Sequence, residues 1–147
     1  MRTIAKWLRT IYTDQQYTDI PIPTDIQKGL ELRLAAQVLG MMQYTSEIIG
    51  SYIRGLIFRP VEAKELVVVA GLTRKEAVED PILDALANYV AYLCRYHLVS
   101  RDKEDQYLAV LAGGKCAKLL NAVKDHNVRA IAQNGWKAIC PRPLAEP

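Results

Sequence analysis

An apolar stripe of helical period runs through the middle of the chain and restricts residues 81–98 to an α-helix. Its members recur three or four residues apart, as one buried helix face requires. Asp80 followed by Pro81 favours a helix start, because an aspartate accepts unpaired amides and proline fits the first turn. Such a helix needs other elements against which to bury its stripe. The stripe consists of Ile82, Leu83, Leu86, Tyr89, Val90, Leu93 and His97.

The rest of the chain repeats this period between breaks. An amphipathic pattern over the first twelve or so residues predicts a helix, and prolines in the segment Asp14 to Pro23 predict a loop after it. Thr24 and Gln27 have the spacing of a capping box and predict the start of a long helix that ends before Pro60. Thr73 and Glu76 have the same capping-box spacing and predict another helix start. Further helices are predicted from Ser100, over residues 115–124, and from Asn127 to Ile139.

Two segments leave alternatives open. The residues from Glu62 to Ala70 combine a valine run that suits a strand with a helix-forming start, and helix is preferred because no second strand is evident. Glycines in the long helix indicate either close packing or a break near Gly40. The pattern as a whole predicts an all-α fold, a single bundle of five to seven helices over residues 1–140, followed by a proline-containing tail over residues 141–147.

Composition narrows the class of protein. Half of the 147 residues are apolar, which is too many for a disordered chain. The longest nearly apolar run, Leu66 to Leu72, is far shorter than the roughly 20 residues that span a bilayer, and no secretory signal is recognisable. These features predict a cytoplasmic protein that does not enter a membrane.

Neither a catalytic nor a metal site is predicted. The three cysteines are widely spaced and form no CxxC pair, and neither histidine stands in a metal-ligand motif. Cys94 and His97, three residues apart on one helix, could in principle pair as nucleophile and base, but packing in the core explains them as well. Gly113, Gly114 and Lys115 lack the rest of a phosphate-binding loop. The prediction is therefore a protein that is not an enzyme and holds no cofactor.

Basic residues concentrate in two places. Between Gln106 and Arg142 there are six bases and one acid, and a second basic face lies near the N-terminus. Bases with few acids nearby gain from phosphate contact through counterion release, although a plain solvated surface accounts for them equally well. Lys115 and Lys118 are predicted to share a helix face. The candidate nucleic-acid-binding residues are Lys115, Lys118, Lys124, Arg129, Lys137, Arg2, Lys6 and Arg9.

Sequence-specific reading of bases is not predicted. No recognition-helix sequence, RNP motif or zinc finger is present, so contacts should be made to the nucleic-acid backbone. Tyr107 and Trp136 could stack on unpaired bases, but aromatic residues of a small bundle more often pack in the core. This pattern favours an accessory subunit that holds a strand in place.

A mildly basic helical bundle of this length, without catalytic residues, resembles the small subunits of CRISPR interference complexes of the Cascade kind. The resemblance lies in the profile of the whole chain. It implies other protein subunits as partners and electrostatic contact with the target strand, the displaced strand or the guide RNA. It further implies that bases such as Lys115, Lys118, Lys124 and Arg129 hold phosphates while guide pairing reads the sequence.

A structural phage protein is the main alternative. A head–tail connector or adaptor of this size packs copies of itself into a ring, and the loop from Asp14 to Pro23 and the proline tail would then be contact arms. A ring predicts self-assembly with fixed symmetry, whereas a subunit of a larger complex predicts a monomer that needs other partners.

Overall fold

The computed structural model describes residues 2–14, 20–73 and 80–134, and within them the chain is all-α. This part of the chain contains no β-strand, so the all-α prediction is confirmed. None of its helices is long and apolar enough to cross a membrane. The helices are α1 (Arg2–Asp14), α2 (Ile26–Val38), α3 (Ser46–Leu56), α4 (Ala63–Leu72), α5 (Pro81–Arg95), α6 (Arg101–Ala112) and α7 (Ala117–Asn134), with a 3₁₀ turn at Met42–Tyr44.

The chain forms two compact units. Unit 1 comprises Met1–Pro60 with Leu72–Ile82, and unit 2 comprises Val61–Gly71 with Leu83–Pro147. Each unit thus combines two stretches of chain, a later short one in unit 1 and an earlier short one in unit 2. The predicted boundary at residue 140 and the tail after it lie outside the residues that the structure describes.

Unit 1 has an apolar core built by α1, α2 and α3. Trp7 is 5% exposed, and its ring lies 5.0 Å from that of Tyr44 between centroids, tilted by 56°. This tilted contact is a favourable geometry for two aromatic rings. The amphipathic first helix is confirmed, because Ile4 and Trp7 enter this core, whereas Leu8 is 46% exposed. The core cluster comprises Ile4, Trp7, Ile20, Leu32, Ala36 and Ile48.

The start of α2 differs from the prediction. Thr24 is not the N-cap. Asp25 has the extended backbone of a cap, and its Oδ1 accepts the amide of Lys28 at 3.0 Å. A carboxylate is a stronger acceptor than a hydroxyl for an amide at the positive end of a helix, so the adjacent aspartate takes the position.

The long helix predicted up to Pro60 is broken. Helix α2 ends at Val38, and Gly40 adopts a left-handed φ of +69°, which a residue without Cβ enters at little cost. The amide of Met41 bonds back to the carbonyl of Ala36 at 2.7 Å and closes the turn. Of the two alternatives for these glycines, the break near Gly40 is therefore the one that the structure shows.

A buried ion pair fixes the start of α5 within unit 1. Arg33 Nη1 lies 2.8 Å from Asp80 Oδ2, and the two side chains are 5% and 1% exposed. The other carboxylate oxygen, Oδ1, accepts the amide of Ile82 at 3.0 Å. Asp80 is therefore the cap that the sequence predicted, and within unit 1 it also pairs with a residue of α2 that is 47 positions away in the chain.

Unit 2 buries one face of α4, which confirms helix over strand for this segment. Leu66 and Val69 are fully buried, three residues apart as a helix face requires. Tyr107 of α6 is also fully buried, and its hydroxyl donates to the carbonyl of Val61 just before α4. Tyr107 is therefore a core residue, so of its two interpretations, packing in the core and stacking on a base, the first is confirmed.

Helix α6 begins as predicted, but α7 does not. Ser100 caps α6, since its Oγ accepts the amide of Lys103 at 3.3 Å. After the turn at Gly114, with a φ of +81°, one continuous helix runs from residue 117 to residue 134. The predicted separate helix from Asn127 is wrong, because the Asn127 side chain accepts a hydrogen bond from Arg95 of α5 at 3.2 Å instead of capping.

Removing Asp80 should destabilise the protein strongly. Asp80→Ala leaves the Arg33 charge buried without its partner, which costs about 3–5 kcal/mol of unfolding free energy. Urea unfolding followed by circular dichroism measures it. The control is Glu47→Ala, which breaks the exposed pair between Glu47 and Arg54 and should cost less than about 1 kcal/mol. Equal effects of the two variants would contradict the anchoring role of Asp80.

Alkaline pH should lower the stability of the fold through ionisation of Tyr107. Burial, and secondarily the nearby Cys94, raise the pKa of Tyr107 to about 12 from 10.0. The unfolded chain therefore loses this proton first, and stability present below pH 10 is lost as the pH rises towards 12. Tyr107→Phe should be about 1 kcal/mol less stable than wild type at pH 8, from the lost hydrogen bond. At pH 11 the difference in urea midpoint between wild type and Tyr107→Phe should be smaller than at pH 8. Parallel pH dependence in both proteins would contradict the raised pKa.

Candidate nucleic-acid interface

Helix α1 gathers three bases on one face. Arg2, Lys6 and Arg9 are spaced four and three residues apart, which places them within about 60° of arc. All three are exposed. Ile4 and Trp7 point to the opposite side and are buried. We call these three bases the α1 row, and the structure confirms that they form one solvent-facing surface.

Stability of the helix does not explain the α1 row. The first turn of α1 contains no acid and its last turn no base, the reverse of what the helix dipole favours. Arg2 stands at the positive end of the dipole, where a cation is disfavoured by about 0.3–1 kcal/mol. A bound anion would relieve this repulsion, because phosphates are favoured at helix N-termini.

The bases of α7 are less well aligned. Lys118 and Arg129 are eleven residues apart, just over three full turns, and so lie on nearly the same face. Lys124 is rotated by about a third of a turn from both. Asp125 lies one turn before Arg129 on the shared face. The helix therefore spreads its bases around its surface and places an acid among them.

The remaining predicted bases do not extend this face. Lys115 is exposed but lies in the turn before α7, which begins at Ala117, so it does not share a helix face with Lys118. That prediction is wrong because the turn at Gly114 delays the helix start. Lys137 lies outside the residues that the structure describes. Among the eight candidates, the α1 row is the set that the structure brings together.

His97 has a structural explanation. It follows the end of α5 with a φ of +52°, and the amides of His97 and Leu98 bond back to Cys94 and Leu93 at 3.3 and 2.9 Å. This is a Schellman ending, in which glycine usually takes the left-handed position. It ends α5 earlier than predicted. His97 Nδ1 lies 3.5 Å from a carboxylate oxygen of Glu104, a partner that sequence spacing alone did not reveal.

The other groups of interest are paired or buried. His126 Nε2 lies 2.7 Å from Asp84 Oδ1, as an imidazole and a carboxylate from two helices. The Cys116 thiol is buried beside the Leu66 carbonyl, and burial raises its pKa. Within residues 2–14, 20–73 and 80–134, no three side chains of His, Cys, Asp or Glu lie together as metal ligands would.

Comparison with known proteins gives no relative. No protein-family model, curated protein or solved structure matches the chain significantly. The resemblance to the small subunits of CRISPR interference complexes therefore stays a prediction.

The α1 row should be dispensable for folding. Arg2→Gln with Lys6→Gln removes two exposed charges that do not complement the helix dipole. The double variant should unfold within about 0.5 kcal/mol of wild type, or at slightly higher urea. Urea titration with circular dichroism gives the comparison. A clear loss of stability would indicate that the row serves the fold, and its interpretation as a binding surface would lose its support.

Proposed function

We propose that the protein is a non-catalytic helical subunit of a nucleoprotein complex, which holds the backbone of a target or displaced strand. Small subunits of CRISPR interference complexes are the type of subunit meant. The observation that carries the proposal is the α1 row, three exposed bases on one helix face backed by buried Ile4 and Trp7.

The row has a length that suits a strand. Arg2 and Arg9 are seven residues apart, which corresponds to about 10 Å along the helix axis. Successive phosphates of one strand advance by about 3.4 Å along a duplex, so the row can span about three nucleotides. Because α1 packs through Trp7 on Tyr44, the three charges are held on one face rather than on a loop.

The action is passive. Lysine and arginine neutralise phosphates and release their counterions, and this energy does not depend on base identity. Base pairing to a guide would supply the sequence specificity in such a complex. Lys115, Lys118, Lys124 and Arg129 give unit 2 further phosphate contacts, which we rank below the α1 row because Asp125 stands among them and they diverge around α7.

Removing the α1 row should lower both the affinity for a single strand and its dependence on salt. Each phosphate contact contributes a slope of about −0.7 in log K against log salt for single strands. Arg2→Gln with Lys6→Gln and Arg9→Gln should therefore make the slope less steep by about 2. Fluorescence anisotropy with a labelled single strand, across a salt series, measures both quantities.

Two control variants, each of which also removes three bases, distinguish an effect of the α1 row from an effect of net charge. Arg54→Gln with Lys64→Gln and Arg101→Gln removes three exposed bases elsewhere and should leave the slope nearly unchanged. Lys115→Gln with Lys118→Gln and Lys124→Gln should have an intermediate effect. If all three variants lose affinity equally, the α1 row is not a specific surface and net charge alone attracts the strand.

A ring-forming phage connector or adaptor is the second candidate. The observation that favours it is apolar exposure in unit 1, where Val38, Ile57 and Phe58 are 81%, 66% and 84% exposed. Exposed apolar side chains indicate contact with protein where they form one contiguous patch, and Ile57 and Phe58 are neighbours in the chain. The solution mass distinguishes the two functions, since a monomer is expected for the nucleoprotein subunit and a closed multiple for the connector.

A further inference from the structure

Unit 1 contains a half-open cavity between α2, α3 and the segment that precedes α2. Its volume is about 260 Å³. This is slightly below the roughly 300–1,000 Å³ of pockets for drug-sized ligands, so it suits a group as small as one nucleobase. Apolar side chains such as Ile26, Leu30 and Ile48 line it, and Asp25, Ser51 and Arg59 supply polar groups. An apolar pocket with a few polar groups is typical of a ligand site.

A ready stacking surface lines this cavity. The guanidinium carbon of Arg59 lies 5.4 Å from the centroid of the Tyr52 ring, and Tyr52 is 8% exposed. The guanidinium therefore lies over the buried tyrosine ring, within the distance of a cation–π contact. Unpaired bases stack on aromatic rings and on arginine planes in nucleic-acid complexes. Hydrogen bonds of a guanidinium lie in its plane, so they do not compete with a base stacked on its face.

The charges that line the cavity do not favour a phosphate, because the Asp25 carboxylate offsets the positive charge of the Arg59 guanidinium. Asp25 lines the cavity, and its Oδ1 accepts the amide of Lys28. The carboxylate repels a phosphate, whereas Oδ2 can accept the exocyclic amino group of adenine, cytosine or guanine. The polar groups thus fit an amino-bearing ring that enters edge-on while its phosphate stays outside.

A second cavity lies between α1 and α2 and shares Pro23 with the first. It has a volume of about 270 Å³ and is lined by Thr3 of α1, by Pro23, and by Lys28 and Glu31 of α2. Pro23 lines both cavities. Thr3 adjoins Arg2 in the chain and Pro23 belongs to both linings, so the second cavity lies between the helix of the α1 row and the Arg59 cavity. Glu31 is an acid in this second lining, and it forms a hydrogen bond with Gln27 at 2.9 Å.

We propose that the Arg59 cavity receives one unpaired, amino-bearing base of a single strand, stacked on the Arg59 guanidinium that lies over the Tyr52 ring. The proposal rests on the proposed function, because the α1 row holds the phosphates of the same strand. It adds a base contact that tolerates several sequences, since stacking depends on a ring face rather than on a hydrogen-bond code.

The experiment compares two labelled single strands of equal length, one of adenine nucleotides and one abasic throughout. Both carry the same phosphates, so a difference in affinity reports the bases. Stacking of one base corresponds to about fivefold in affinity or more. Fluorescence anisotropy at one salt concentration should therefore show the abasic strand bound at least about fivefold more weakly by the wild-type chain.

Matched glycine variants assign this difference to the cavity. A Cβ at Gly55 would meet only Arg59 Nε within 4 Å, at 3.9 Å, so the first side-chain atom of Gly55→Leu is accommodated and the larger side chain is added where Gly55 lines the cavity. The control is Gly71→Leu in α4, where a Cβ meets nothing within 4 Å. Gly55→Leu should bind both strands with the affinity of the abasic strand, and Gly71→Leu should behave as wild type. Arg59→Lys, which keeps the charge but loses the plane, should resemble Gly55→Leu.

A second measurement does not depend on strand binding. Adenosine monophosphate and ribose 5-phosphate are titrated into the wild-type chain while the amide signals of Gly29 and Gly55, which line the cavity, are followed by NMR. The nucleotide should shift both signals, and the sugar phosphate should not.

The outcomes separate the two proposals. Equal, salt-sensitive binding of both strands without amide shifts overturns the base site and leaves the proposed function standing. Shifts with adenosine monophosphate but no binding of either strand support the base site and overturn the proposed function. An absence of both overturns both, and the cavity would then fit a side chain of a protein partner.

Discussion

The ion pair between Arg33 and Asp80 is the contact on which unit 1 depends most. Both charges are almost fully buried, so each relies on the other in place of water. Asp80 also accepts the Ile82 amide, and one carboxylate therefore joins α2 to the first turn of α5. Such a pair adds less stability than its Coulomb energy suggests, but an alternative packing that separated the charges would be costly. Its physical effect is to specify where α5 begins relative to α2.

The surface of unit 1 follows from the packing of its apolar residues. Once Ile4 and Trp7 enter the core, helical geometry directs the α1 row to solvent on the opposite side. The same core positions α2 and α3 on either side of the Arg59 cavity, with the Arg59 guanidinium over the buried Tyr52 ring. A packed apolar core thus holds the charges of the α1 row on a helix, which lowers the entropy that binding costs.

Local chemistry made several elements predictable. Asp80, which precedes Pro81, begins α5, and Ser100 begins α6. The side chain of each accepts a hydrogen bond from an amide two or three residues further on. The errors arose where two local signals competed. Thr24 had the better capping-box spacing, yet Asp25 next to it provides a charge at the positive helix end. Asn127 resembles a cap, but its side chain bonds to Arg95, 32 residues away. A local pattern contains no information about such a distant donor.

The sequence by itself determined the helical class, most helix positions and the α1 row, because these depend on period, capping and spacing within a few residues. Tertiary structure alone decided the partners of Arg33 and Glu104, the burial of Tyr107 and the existence of the Arg59 cavity. Each of these depends on segments that are far apart along the chain or on the space left between packed helices. The physical reason is that side-chain period fixes which face of a helix is buried, but only packing fixes which groups meet there.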